Sequence, residues 1–370
     1  MDWKVRFIDY PAQFQKMEAE LMGTIRTVLS QGDLILRQHL RTFESNLAAF
    51  VRTRHAVGLS NCTDALHLTL RAAGVGPGDE VITVSHTFVA TAAAIHHTGA
   101  TPVLVDIGDD HNMSVELVEA AVTRRTKAIV PVHLNGRLCD MRRVMALAER
   151  HGLIVIEDSA QALGASFEGK RGGSFGRAGC FSFYPAKLLG AFGDAGAMVT
   201  NDEDMAEKVR LLRDHGRTRD GDVAGWSFNC RLDNLHAALL DLKLKRIPEW
   251  IARRRELSWL YQEHLSPLSQ LRLPPAPGTK GPYFDIFQNY EVEAQDRDRL
   301  VAYLREKGIE ILIPWGGRGV HQFKTLGLTH FRLPRTEQLF RDVLMLPLHT
   351  ELADEQVGYV ASVILDFYAM

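Results

Sequence analysis

The chain has 370 residues, 46% hydrophobic and 24% charged, with a formal net charge of −2. At about 150 residues per domain this length predicts two domains, or one large domain with an appendage, and it excludes disorder, collagen-like repeats and disulfide miniproteins. The near-neutral charge argues against nucleic acid as the main partner, and no apolar run reaches the about 18 residues a membrane span needs.

Residues 1–6 carry no apolar h-region, so no secretory signal is expected. The first forty or so residues predict an arm and a long helix packing on one domain or on a partner subunit. From residue 56 to about 200, short apolar runs alternate with amphipathic segments. The runs lie at 56–59, 81–84, 101–106, 128–134, 153–157, 180–183 and 197–200. Several are almost wholly apolar and rich in Val and Ile, which fits strands covered on both faces. Between them, Met141, Val144, Met145 and Ala148 share one helical face, as do Met205, Val209 and Leu212. Gly152 and Gly216 stand where those helices should stop. This alternation predicts an α/β fold, a large mostly parallel sheet sandwiched by helices. The glycine-rich stretch 167–179 reads as a loop feeding the active face.

After about residue 244 the character changes. A charged helix is expected over 250–265, then a Pro/Gly-rich linker over 273–282. A short element over 286–292, a helix over 297–307, a strand-like run over 309–313 and a last helix from Asp354 follow. They make a smaller C-terminal α+β domain. The expected division is 1–245, arm and large domain, and 246–370, small domain. The four cysteines, Cys62, Cys139, Cys180 and Cys230, form no C-x-x-C pair, so reduced thiols in a cytoplasmic protein are expected. His96 and His97 read as an exposed helix end, and no metal site is expected.

Ligands of an open parallel sheet bind beyond the carboxyl ends of its strands. Four segments there carry candidate chemistry. Residues 60–66 run from a strand into a helix, where Thr63 and nearby amides suit a phosphate, or where Asn61 or Thr63 simply caps the helix. Glu157 and Asp158 end a strand, and a buried carboxylate there needs a cation such as a protonated pyridine nitrogen; a Mg²⁺ ligand or a helix cap is the alternative. Lys187 follows a strand and a proline turn among apolar and aromatic residues. Desolvation would make its amine a neutral nucleophile able to form a Schiff base, against the plainer reading of a solvated lysine. Phe88 either stacks on a flat ring or belongs to the core. Together the four supply what pyridoxal 5′-phosphate (PLP) requires.

From about Arg54 to the C-terminus, most densely up to Asn234, the sequence resembles the DegT/StrS-type, PLP-dependent sugar aminotransferases, of fold type I. The stretches that carry the resemblance are 61–66, 76–81, 87–91, 132–134, 157–162, 180–187 and Gly193-Asp194. It implies that Lys187 is the lysine that binds the cofactor aldehyde and the proton-transfer base. It implies that Asp158 pairs with the ring nitrogen, Gln161 contacts the ring hydroxyl region and Phe88 stacks on the ring. Thr63, the Asp64 backbone and Ser182 would hold the phosphate. Asn229 and Arg231 match residues that reach the neighbouring subunit's site, implying a homodimer with shared sites. His86, Trp315 and His321 are candidates for the substrate pocket. Cys62 stands where a glycine is common, Asn135 and Arg137 replace residues more often Tyr and Gln, and 313–317 is not the commonest family form.

The activity implied is transfer of an amino group from glutamate (or glutamine) to a keto group of a nucleotide-linked deoxysugar. Alternatives are amination of a keto-cyclitol, PLP-dependent sugar dehydration, which in relatives goes with histidine in place of Lys187, and a regulatory or binding protein without turnover. A nicotinamide dehydrogenase would need a G-x-G-x-x-G after the first strand, and none is present.

Overall fold

The computed structural model describes residues 3–278 and 281–370; residues 279–280 of the expected linker lie outside them. The apolar runs become the strands of a seven-stranded sheet. In chain order the strands are β1 (His55–Leu59), β2 (Glu80–Val84), β3 (Thr101–Val105), β4 (Thr126–Ile129), β5 (Ile154–Asp158), β6 (Ser166–Phe167), β7 (Lys170–Arg171), β8 (Ala178–Ser182) and β9 (Gly196–Thr200). The large sheet runs β1-β9-β8-β5-β4-β2-β3. Strand β9 is antiparallel to both its neighbours and every other pairing is parallel.

Alternation along these strands loads both faces with apolar side chains. Val57, Val81, Ala128, Ile156, Cys180 and Met198 face one helical layer. That layer includes the helices Cys62–Ala72 and Glu203–Arg213. Ala56, Ile82, Ile129, Val155, Phe181 and Val199 face the opposite layer, with the helices Gln38–Val51, Met141–His151 and Asn234–Leu244. Gly152 ends its helix at φ 65°, the left-handed cap expected of it.

A second three-stranded sheet, β10 (Leu271–Arg272), β12 (Tyr290–Ala294) and β13 (Val343–Leu346), packs with the helices Arg297–Glu306 and Asp354–Ala369 around a separate core. Helix Ile247–Leu265 serves both cores: Ile247 and Ile251 pack in the first, Leu257, Tyr261 and Leu265 in the second. The arm also reaches the C-terminal unit, where Val5 bridges Ile309. The strand expected over 309–313 is reduced to isolated bridges at Ile309 and Leu312, and β12 starts later than the run that announces it.

The glycine-rich stretch corrects the sequence reading. Its first part is the β6–β7 hairpin, which pairs with β11 (Tyr283–Phe284) from across the chain. Its second part does not lead to the carboxyl edge. Arg177 N–H donates to Val155 O at 2.8 Å, and β8 starts beside Ile156, so the stretch approaches the sheet from the amino end of β5. There it wraps Glu157, whose carboxylate accepts the amides of Gly173 (2.8 Å), Phe175 (2.7 Å) and Gly176 (2.8 Å).

Candidate active site

The pleat of β5 decides between the two adjacent carboxylates. Glu157 shares the face of Val155, where the glycine-rich loop saturates it and His133 Nε2 lies 3.0 Å away. Asp158 shares the face of Ile156 and is 5% exposed. Its Oδ2 accepts from Thr91 Oγ1 at 2.8 Å and its Oδ1 from Ala160 N–H at 3.1 Å. The single Thr91 hydroxyl proton is used in that bond, so Thr87 Oγ1, 2.7 Å away, donates to Thr91 in turn. Burial pushes the Asp158 carboxyl above the usual aspartate range, opposed by Thr91, Ala160, Lys187 and His133. A carboxylate so placed is stabilised by a cation.

Lys187 follows the neighbouring strand, in a turn after β8 where its N–H donates to Tyr184 O at 2.8 Å. It is part-buried and borders a cavity of about 270 Å³ lined by Met17, Phe192 and Trp250 together with the charged Lys243, Arg254 and Glu351. Burial lowers its ammonium pKa, and Cys62 and Asp158 act in the opposite sense.

At the end of β1, Asn61 is the cap of helix Cys62–Ala72: its Oδ1 accepts from Asp64 N–H at 2.8 Å. Cys62 and Thr63 open the helix, and their amides have no carbonyl one turn back to bond. The Asp64 amide is therefore taken by the cap, and its carboxylate by Asn61 Nδ2 (2.8 Å) and Ser60 Oγ. That corrects the expectation that the Asp64 backbone is open to a phosphate. Gly196 makes the close approach possible: a Cβ there would stand 2.4 Å from the Asn61 carbonyl carbon. Gly196 pairs with Leu59 on one side and Ser182 on the other, which brings the Ser182 hydroxyl to the same sheet edge as Thr63.

Phe88 is 56% exposed at the start of helix Val89–His97, one turn from Thr91, so it is not a core residue of this chain. Gln161 Oε1 accepts from Asn135 N–H (2.8 Å) and Asn289 Nδ2 (3.2 Å). Asn229 is exposed, and Arg231 pairs with Asp214 at 3.1 Å beside the end of β1. The pocket candidates are less accessible than expected. His86 has no exposed surface; its Nδ1 lies 3.1 Å from His111 O and its Nε2 3.5 Å from Glu291. Trp315 covers it edge-on, with ring centroids 5.4 Å apart. His321 is also buried, with Nδ1 2.7 Å from Ser85 Oγ and Nε2 3.4 Å from Glu337. Of the three, only Trp315 keeps part of its surface open.

Sequence reasoning left Thr91 without a role, although Thr87 and Thr91, four apart at a helix start, are a readable pair. It missed Gln288 and Asn289, for which no local signal exists. The donor set fits PLP: a helix start with open amides and a threonine hydroxyl, an exposed aromatic ring, a buried carboxylate aimed at the same edge, and a lysine amine with lowered basicity.

Comparison with known proteins gives the same direction. A profile of the DegT/DnrJ/EryC1/StrS aminotransferase family matches residues 15–365. The chain is 42% identical over 365 residues to a UDP-N-acetyl-3-dehydro-alpha-D-glucosamine 3-aminotransferase of Acidithiobacillus ferrooxidans, covering 97% of each chain. It is 40% identical over 368 residues to a pleiotropic regulatory protein of Geobacillus stearothermophilus, covering 98% of each. The crystal structure of S. venezuelae DesV in complex with a ketimine intermediate matches with a TM-score of 0.94 at 38% identity, covering 99% of each chain. The chain belongs to the DegT/DnrJ/EryC1/StrS aminotransferase family.

Proposed function

We propose that this protein moves an amino group from glutamate (or glutamine) to the keto group of a nucleotide-linked sugar, with C3 as the carbon aminated. The observation that carries the reaction is that Lys187 follows β8 and the buried carboxylate of Asp158 ends the neighbouring parallel strand β5, so both stand at one edge of the sheet. The choice of C3 follows the relative that is 42% identical. With glutamate as donor the other product is 2-oxoglutarate.

When bound, PLP supplies an aldehyde for the lysine and a protonated ring that accepts the electron pair of the substrate carbon. The residues of the chain do the rest. The amides at positions 62 and 63, the Thr63 hydroxyl and Ser182 bind the phosphate. Phe88 covers one face of the ring and Gln161 meets its hydroxyl edge. Asp158, itself held by Thr91, keeps a proton on the ring nitrogen. Lys187 would hold the cofactor aldehyde and, as a free amine, would serve as the base and acid that moves the proton. Asn229 and Arg231 reach into the partner subunit's site, so the active form is a homodimer. Trp315, backed by His86, contributes to the sugar pocket, with His321 fixing the segment behind it. Four buried free thiols, Cys62, Cys139, Cys180 and Cys230, suit a reducing cytoplasm. Among the described residues no helix is long and apolar enough to cross a membrane.

The name of the Geobacillus relative favours a second reading, a binding protein without turnover. An intact Lys187–Asp158 pair favours turnover. One experiment separates the readings: 3-keto and 4-keto sugars on UDP and dTDP, and a keto-inositol, each with labelled glutamate, read by product mass. Labelled nitrogen in a 3-amino nucleotide sugar supports the proposal. Label in a 4-amino sugar or an aminocyclitol moves the acceptor. An unlabelled deoxygenated product means dehydration, and cofactor binding with no half-reaction means a binding protein. Lys187→Ala should abolish transfer and the visible absorbance of the lysine-bound cofactor; a fully active variant ends the proposal.

A further inference from the structure

Gln288 is 6% exposed and lies just before β12, far from Lys187 in sequence. Its side-chain Oε1 accepts from Leu188 N–H at 2.8 Å and its Nε2 donates to Ala186 O at 2.9 Å. One amide thus grips the peptide groups on both sides of Lys187. Its orientation is forced, because the flipped amide would set NH₂ against an N–H and oxygen against a carbonyl. Gln288 is itself held. Its N–H donates to Asn135 O at 3.0 Å, and its carbonyl accepts from Arg254 Nη1 at 3.0 Å. Arg254 Nη1 also donates to Phe287 O (3.1 Å) and Leu348 O (2.9 Å). Asn289 carries the next side chain along, with Nδ2 donating to Asn135 Oδ1 (2.9 Å) and Gln161 Oε1 (3.2 Å). The approach needs Gly136, at φ +89°, where a Cβ would stand 2.8 Å from Gln288 N.

We propose that Gln288 is a positioning residue for transamination: it fixes the turn that carries Lys187 and, through Asn289, registers that turn against Gln161. The proposal rests on Lys187 carrying the cofactor. Lys187 must reach first the cofactor aldehyde and then the proton on the substrate carbon, and a misplacement of about 1 Å in such a geometry costs on the order of 10²-fold in rate. Two backbone hydrogen bonds from one rigid amide leave the turn no freedom to slide. The titratable groups bordering the small cavity beside Gln288 are Lys187 and Arg254.

The test uses PLP-loaded wild type, Gln288→Leu and Gln288→Glu. Thermal melting, the pH midpoint of the visible chromophore, single-turnover rates with glutamate and steady-state KM for the keto sugar are measured. Gln288→Leu removes both bonds at similar size. It should slow the single turnover about 10- to 100-fold, shift the chromophore midpoint, and leave the sugar KM within about twofold. Gln288→Glu keeps the pattern only when protonated, since its carboxylate would face Ala186 O. Its single-turnover rate should therefore fall, relative to wild type, as pH rises and recover on acidification. A Leu variant within twofold of wild type with an unmoved midpoint overturns the proposal, as does a Glu variant with the wild-type pH profile. If Gln288→Leu does not fold, Gln288→Glu decides. A wild type without lysine-bound chromophore would instead overturn the reading of Lys187.

Discussion

Asp158→Asn should separate the catalytic from the structural contribution of the buried carboxylate. Both oxygens are engaged by donors, Thr91 Oγ1 at 2.8 Å and Ala160 N–H at 3.1 Å. Asparagine can still satisfy the site. Its oxygen accepts from Ala160, its NH₂ donates to Thr91 Oγ1, and the Thr91 proton turns toward Thr87. What disappears is the charge. A cationic ring nitrogen facing a neutral amide loses a charge-assisted bond of about 3 kcal/mol, which at 1.36 kcal/mol per decade slows the half-reaction with glutamate about 10²-fold. Stability of the cofactor-free protein should move the other way. Burial raises the folded-state pKa of Asp158 above its unfolded value. The folded state therefore binds more protons, and ionising the group at neutral pH costs stability. The cofactor-free variant should melt no lower than cofactor-free wild type. Stopped-flow absorbance with glutamate and melting of the cofactor-free forms read both. A half-reaction within threefold of wild type, or a clearly lower melting temperature of the cofactor-free variant, refutes the argument.

Two further outcomes follow from the packing. His111 donates to Glu291 at 2.8 Å and Glu293 at 2.9 Å, tying the loop after β3 to β12. Burial alone would lower its pKa, but the two carboxylates outweigh burial and raise it to about 9. The stabilisation is present below the unfolded value near 6.5 and is lost as pH rises through the folded one, about 3 kcal/mol in all. Urea unfolding of wild type and His111→Gln at pH 6 and pH 9.5 reads it, and equal losses in both proteins would contradict it. Gly196→Ala sets a methyl against backbone atoms of Asn61 and Cys62 that cannot yield. It should cost about 3 kcal/mol and weaken PLP binding together, measured by melting and by titration with the cofactor.

The fold was legible where burial is two-sided. Strands β1 to β5, β8 and β9 are apolar on both faces, so their composition reports them directly. The glycine-rich stretch was misread because its purpose is tertiary: its amides close on Glu157, and glycine at 179 is dictated by Gly173, whose Cα would stand 2.2 Å from a Cβ there. The two-residue strands β6, β7 and β11 are too short to show a period, and β11 pairs across the chain. His86 at a strand end reads the same whether it lines a pocket or, as here, lies 3.5 Å from Glu291 on another unit.

Within the site, legibility follows the same division. Groups proposed to meet the cofactor sit at strand ends and helix starts, positions that local sequence marks: Thr63 after a capping Asn61, Asp158 closing β5, Lys187 after β8. Adjacent Glu157 and Asp158 are indistinguishable until a neighbour fixes the parity, and Ile156 does so by packing against the helix Cys62–Ala72. Groups that only hold those residues carry no such mark. Gln288 meets its partners 100 residues away, and any polar side chain of the right length would read alike in sequence. A lysine turn bound through Gln288 to the segment just before β12 makes the lysine nitrogen sensitive to how that segment sits. Substitutions along 286–289 should therefore act on the rate of proton transfer before they act on binding of the sugar.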